Sequence, residues 1–220
     1  MLHPYALVRT PAVVPETAGI DDAPLRAVSL VDPIEAVVTE MAAEIRPTDE
    51  AILAHARVVE AVSDVNDAVL PMRFSRGVVD EDELRRRLGG REHELSDALA
   101  HVAGCVEVGL RLIAGVDAAP QPPPASGREY MERRRGDVSR AEQVAGELSA
   151  SLAALARDSV SRILAKSDVL LTAAYLVPRA ELERFDSAVS AAAKRWPDLE
   201  LVRTGPWPPY SFALLDPAPT

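Results

Sequence analysis

Apolar residues in this 220-residue chain are spaced with a period that switches between two and about 3.6, which predicts strands interleaved with helices. Tyr5-Ala6-Leu7-Val8-Arg9 predicts a first short strand, closed by Thr10-Pro11. The β-rich runs 25–31 and 34–39 flank Asp32-Pro33 and predict two strands with a turn between them. A helix starting at Pro33 with Asp32 as its cap competes with that reading. Thr48 can cap a helix whose first turn carries Asp49 and Glu50 and whose apolar face is Ile52, Ala56, Val59 and Val62. Val69-Leu70-Pro71-Met72-Arg73-Phe74 breaks that helix and reads as extended.

A second helix is expected over 81–101 through Leu84, Leu88, Leu95, Leu99 and Val102, weakened and open to splitting at Gly89-Gly90. Over 105–113, Val106, Val108 and Leu110 alternate with Glu107, Gly109 and Arg111, a strand pattern. Residues 118–127 contain Gln121-Pro122-Pro123-Pro124, which excludes regular structure and on composition alone resembles a domain linker. The longest helix is expected over 128–165, through Val138, Ala141, Val144, Leu148, Leu152 and Leu155. A strongly apolar strand, 169–177, then precedes an amphipathic helix over 181–196, ended by Pro197, and a last strand at 199–202. Elements in this order point to an α+β protein.

The strongest local signal lies near the end, in Gly205-Pro206-Trp207-Pro208-Pro209-Tyr210-Ser211-Phe212. Three prolines and three aromatics fall in eight residues of a chain that is 4% aromatic, so the run is set apart from the rest. Proline fixes φ and has no backbone donor, so the segment is neither helix interior nor central strand but stiff and extended. Either its rings seal a core or they form an apolar contact surface. The two roles are compatible if Trp207 is buried while Tyr210 and Phe212 face outward.

Composition narrows the function classes. A formal net charge of −10 argues against nucleic-acid binding, which needs a basic face. No helix carries a long cationic face for a lipid surface, and no stretch approaches the ~20 apolar residues of a membrane span. Cys105 is the only cysteine, which removes a disulfide framework and suggests a reducing compartment. With no basic region followed by an apolar run at the N-terminus, the expectation is a cytoplasmic protein.

Catalytic signatures are missing: there is no phosphate-cradling glycine loop and no Gly-x-Ser-x-Gly elbow. His3, His55, His93 and His101 show no metal-binding spacing, so no metal or cofactor is expected. His55 reads as a half-buried helix residue and Cys105 as a small core residue. Glu129 and Glu132 read as ion-pair partners of the cluster Arg128, Arg133, Arg134 and Arg135. That cluster is either a solvated first helical turn or a set of fixed bridges, to acids such as Glu107 or to an acidic partner. Arg85-Arg86-Arg87 reads as a solvated face.

Four segments taken together resemble the gas-vesicle accessory proteins of the L/F family. They are Val69 to Phe74, with Pro71 and Phe74; Val106 to Arg111, with Glu107 and Arg111; Gly127 to Arg135, with Arg128 and Tyr130; and Ala174-Tyr175-Leu176-Val177 followed by the run from Gly205 and Pro206 to Phe212. Tyr5-Ala6-Leu7-Val8 and Ala36-Val37-Val38-Thr39-Glu40 also resemble that family's first strands. Two departures stand out: Ser75 replaces the family's usual glycine after Phe74, and the proline-rich loop is longer.

The resemblance implies two domains, an N-terminal α+β domain over 1–104 and a modified ferredoxin-like domain over 105–220 that carries the extended tail. This moves the boundary from the proline loop to about residue 104. It also implies a non-catalytic, minor component needed for gas vesicle formation, associated with the vesicle. Its implied partners are the small hydrophobic shell protein, GvpA-type, whose premature aggregation it limits, and other accessory proteins. Trp207, Tyr210, Phe212, Arg133 and Arg134 are the candidate contacts. Strand 169–177, or the segment from Ser211 to Leu214, could offer a sheet edge for strand addition. An enzyme or small-molecule-binding domain on a ferredoxin-like scaffold is the alternative from another class, and a structural component of the vesicle wall is a third reading.

Overall fold

The computed structural model describes residues 1–75, 77–114, 125–166, 169–196 and 199–213. The chain divides into two compact units, Met1–Cys105 with Trp207–Thr220, and Val106–Pro206. The expected division at 104 gave the whole C-terminal stretch to the second unit; the tail from Trp207 belongs instead with the first.

The first unit holds a four-stranded sheet in the order β2-β3-β1-β4, formed by β1 (Leu2–Arg9), β2 (Leu25–Val31), β3 (Ile34–Glu40) and β4 (Val69–Pro71). β2 and β3 pair antiparallel on either side of Asp32-Pro33, so the hairpin prevails over the helix begun at Pro33. β1 lies at the centre and is buried from Leu2 to Val8, which is why Tyr5-Ala6-Leu7-Val8 reads as a continuous apolar run. Pro4, lacking a donor, sits where the β1–β3 register shifts.

Helix α1 (Asp49–Val65) starts where Thr48 accepts the Ala51 amide at 3.2 Å. It buries Ala51, Ala54, His55, Val58, Val59 and Val62. Its inward face is therefore turned from the expected one, leaving Ile52 exposed. The helix expected over 81–101 is two helices, α2 (Glu81–Leu88) and α3 (Glu92–Val102), separated at Gly89 and Gly90. Gly90 adopts φ +78°, a conformation glycine takes without a Cβ penalty.

The second unit runs β5 (Cys105–Ala114), α4 (Gly127–Leu152), β6 (Asp158–Lys166), β7 (Val169–Pro178), α5 (Leu182–Ala193) and β8 (Leu199–Trp207), with sheet order β6-β7-β5-β8. Val108, Leu110 and Leu112 of β5 and Leu171, Ala173, Tyr175 and Val177 of β7 share one core with Ala141, Val144 and Leu148 of α4 and Phe185 and Val189 of α5. The alternation expected in β5 places Gly109 off that core, where an added Cβ would lie 2.5 Å from Thr204 Oγ1.

Two further expectations are corrected by the second unit. The helix expected to reach 165 stops at Leu152, and 158–166 is a strand. Ser159, Ser161 and the β-branched Val160 and Ile163 oppose helix, whereas the alanines before them favour it. In addition, β7 lies between β6 and β5, so strand 169–177 offers no free edge. The proline run at 121–124, Pro197 and Leu214 lie outside the described residues.

Candidate functional site: an anchored aromatic tail and a basic helix start

β8 continues beyond the expected 202 as far as Trp207. Arg203 is held by α5 through a two-pronged contact, Nε to Asp186 Oδ1 at 2.9 Å and Nη2 to Oδ2 at 3.2 Å. The same guanidinium donates from Nη1 to the Gly205 carbonyl. Gly205 has φ +93°, which disfavours side chains with a Cβ. The backbone at Gly205 is therefore tied to α5 through an ion pair 17 residues apart in sequence, which spacing alone did not reveal.

Beyond Trp207 the chain turns tightly: the Tyr210 amide donates to the Pro208 carbonyl at 2.8 Å and the Phe212 amide to the Pro209 carbonyl at 3.1 Å. Pro208 and Pro209 are buried. Tyr210 packs against the first unit's core of Tyr5, Val37, Val58, Val62 and Val69. Burial, with the nearby Glu60 carboxylate adding to it, pushes its phenol up to about 12.

Phe212 is only 6% exposed, whereas Trp207 is 46% exposed. This reverses the expected arrangement. Phe212 and Tyr210 anchor the tail, and Trp207 is the ring offered to solvent. Proline stiffness sets the geometry of the run but does not decide which ring points inward.

The second candidate group starts α4. Ser126 accepts the Glu129 amide at 3.2 Å, and the Glu129 carboxylate accepts the Ala125 amide at 2.7 Å, a reciprocal cap. The bond from the Ala125 amide, followed by pairing with Arg133, holds the Glu129 carboxyl below its ordinary range. Arg128 pairs with Glu132 at 2.8 Å, and Arg134 donates to the Tyr130 hydroxyl at 3.1 Å. Tyr130 and Met131 remain exposed.

The remaining motif residues divide between core and surface. Pro71 and Tyr175 are buried, Phe74 and Glu107 half-buried, Arg111 and Pro206 exposed. Phe74 packs on the first unit's core. Arg85 is more than a solvated charge, since it donates to the Ser29 carbonyl of β2 at 3.1 Å. Cys105 is buried.

Sequence reading also missed a buried histidine pair. His3 Nε2 lies 2.8 Å from His55 Nδ1, and His55 Nε2 lies 2.8 Å from the Met72 carbonyl. A carbonyl only accepts, so His55 carries its proton on Nε2 and accepts on Nδ1. His3 must then donate from Nε2, leaving its Nδ1 as an acceptor. Among the described residues that atom has no hydrogen-bond partner. Tyr5 and Phe74 enclose both rings. Burial, then the charge of His55, depress His3 to about 3; burial depresses His55 as well. The two residues are 52 apart in sequence, a separation at which no spacing rule operates.

The family model described as "Gas vesicle synthesis protein GvpL/GvpF" matches residues 2–214. The chain belongs to the GvpL/GvpF family. It is 33% identical to a gas vesicle protein L from a Streptomyces species over 74% of this chain and 69% of the relative. It is 30% identical to gas vesicle protein L2 of Halobacterium salinarum over 95% of this chain and 90% of that one. The crystal structure of gas vesicle protein GvpF from Anabaena superposes with a TM-score of 0.80 at 19% identity, covering 98% of this chain and 96% of that one. GvpF from Microcystis aeruginosa gives the same TM-score at 17% identity, covering 97% and 99%. At those identities the structures speak to the fold: helices with antiparallel sheets, α+β. Membership in the GvpL/GvpF family implies a role in gas vesicle formation. Among the described residues no helix is long and apolar enough to cross a membrane, and no group of three or more His, Cys, Asp or Glu could hold a metal.

Proposed function

We propose that this protein acts without catalysis in gas vesicle formation, binding the hydrophobic shell protein and limiting its aggregation during assembly, with Trp207 as the principal contact. The observation behind this reading is the exposed indole on a segment whose neighbours Pro208, Pro209 and Phe212 are buried. A large ring held rigidly at the surface loses little entropy on binding and suits an apolar partner. A small, β-forming apolar subunit aggregates through uncovered edges and faces, so an acidic protein that covers part of it keeps the complex in solution. Arg133 and Arg134 are a secondary contact for acidic groups on the same partner or on another accessory protein.

On this reading the second unit is a modified ferredoxin-like domain. Its β-α-β-β-α-β order and its sheet order β6-β7-β5-β8 support that description. The test is capture of the shell protein by wild-type chain and by Trp207→Ala. Capture should fall sharply while the melting temperature stays unchanged. Undiminished capture by a folded Trp207→Ala protein would show that the indole is not the contact.

A further inference from the structure

Among the described residues the two sheets have four edge strands, and three of the four are short, covered or carry a proline. β4 has three residues. β2 is engaged by α2 through Arg85 on the Ser29 carbonyl and through the Arg26–Glu81 pair at 2.9 Å. β8 includes Pro206, which has no amide to offer. β6 differs from all three. It has nine residues, pairs within its sheet only with β7, and keeps regular register with β7 from Asp158 to Ile163. It contains no proline or glycine, and Asp158 to Arg162 are exposed, Val160 to 46%. A long, regularly paired strand of this kind presents a row of backbone donors and acceptors along its outer edge to any strand that fits it.

We propose that the outer edge of β6 pairs antiparallel with β6 of a second copy of this chain, about a two-fold axis through Val160, joining two four-stranded sheets into one. The occupant follows from reading the edge against itself. A two-fold axis normal to the sheet keeps every side chain on its own face, so residues standing opposite differ in number by an even amount. Centred on Val160, the pairing sets Val160 against Val160 and Ser159 against Ser161. It also sets Asp158 against Arg162 at both ends, which matches opposite charges directly across the ladder. Centred on Arg162, it would press two guanidiniums together, and it would bring Asp158 opposite Lys166 only across the irregularity between Ile163 and Lys166. Centred on Ser161, it would oppose Asp158 to Leu164 and match no charges. The sequence of the edge therefore selects one register. Arg162 makes no ion pair among the described residues. Asp158 accepts the Ser159 amide at 2.7 Å, and a carboxylate can accept further bonds. This dimer is independent of the shell-binding reading.

The test is sedimentation velocity of the whole chain across the micromolar range, with circular dichroism to show that each variant is folded. Wild type should form a concentration-dependent dimer. Asp158→Arg alone and Arg162→Asp alone should each weaken it by roughly tenfold, because each replaces two attractive pairs with two repulsive ones. The double exchange, Asp158→Arg with Arg162→Asp, should restore it. Rescue of this kind does not follow from a merely structural role of either residue. A wild-type chain that stays monomeric, or a dimer indifferent to the exchanges, overturns the proposal. So does a monomeric chain whose β6 variants lose the shell protein, an outcome that assigns the edge to that partner.

Discussion

Lowering the pH from 6.5 to 5 should destabilise the first unit through the His3–His55 pair. The sign follows from proton counts. In the unfolded chain His3 titrates at its ordinary 6.5, whereas in the folded chain it is held near 3, so below 6.5 the unfolded state binds more protons. The stabilising contribution of neutral His3 is thus present above 6.5 and is lost as pH falls toward 3. Between pH 6.5 and 5 the loss is about 2 kcal/mol from His3 alone, and His55, also depressed, adds to it in the same direction. The groups around the pair do not offset this: Tyr5 and Phe74 are uncharged, and the Met72 carbonyl already takes the His55 proton. Carboxylates held low by arginine, such as Glu81 between Arg26 and Arg85, titrate below this window. Urea unfolding followed by far-ultraviolet circular dichroism at steps from pH 7 to 5 measures the slope. His3→Gln keeps a donor toward His55 without a titrating ring and should flatten the curve. Stability that is level or rising between pH 6.5 and 5 in the wild type refutes the reasoning.

Three further outcomes are expected. Phe212→Ala should cost about 3–5 kcal/mol by opening a cavity under the tail, read as a lower unfolding midpoint, while Trp207→Ala should shift it little. Asp186→Asn removes the charge that holds Arg203 and should speed amide hydrogen exchange around Gly205 without unfolding the second unit, as mass spectrometry would report. Gly77→Ala should destabilise by more than about 1 kcal/mol, because Gly77 has φ +93° and an added Cβ would lie 2.7 Å from the Leu2 carbonyl oxygen; thermal melts would show it.

Local chemistry was legible wherever a residue's effect is exerted within a few positions. Thr48 caps α1, Gly89-Gly90 divides α2 from α3, and Asp32-Pro33 turns the first hairpin, each through its own backbone or side chain. The end of α4 was not legible because no glycine or proline marks it. Leu152-Ala153-Ala154-Leu155-Ala156 favours helix, and the stop depends on β6 finding β7. The histidine pair and the Arg203–Asp186 contact were invisible for a related reason: each joins elements whose proximity only the fold creates.

The tail shows how stiffness and exposure are determined separately. Proline restricts φ along 206–209 wherever the segment lies, so stiffness could be foreseen, but the expected extended form ends at Trp207 and the chain turns from Pro208. Which ring is buried is a matter of what each one packs against, which the proline spacing does not specify. Within the first unit Pro208, Pro209 and Phe212 are buried, Tyr210 packs on that unit's core, and Trp207 is left at the surface. The indole is held out by neighbours that are themselves buried, so its exposure is a consequence of packing and not of local disorder. A partner that covers it finds a ring whose position is already fixed, which is the condition under which a single aromatic contributes most to binding.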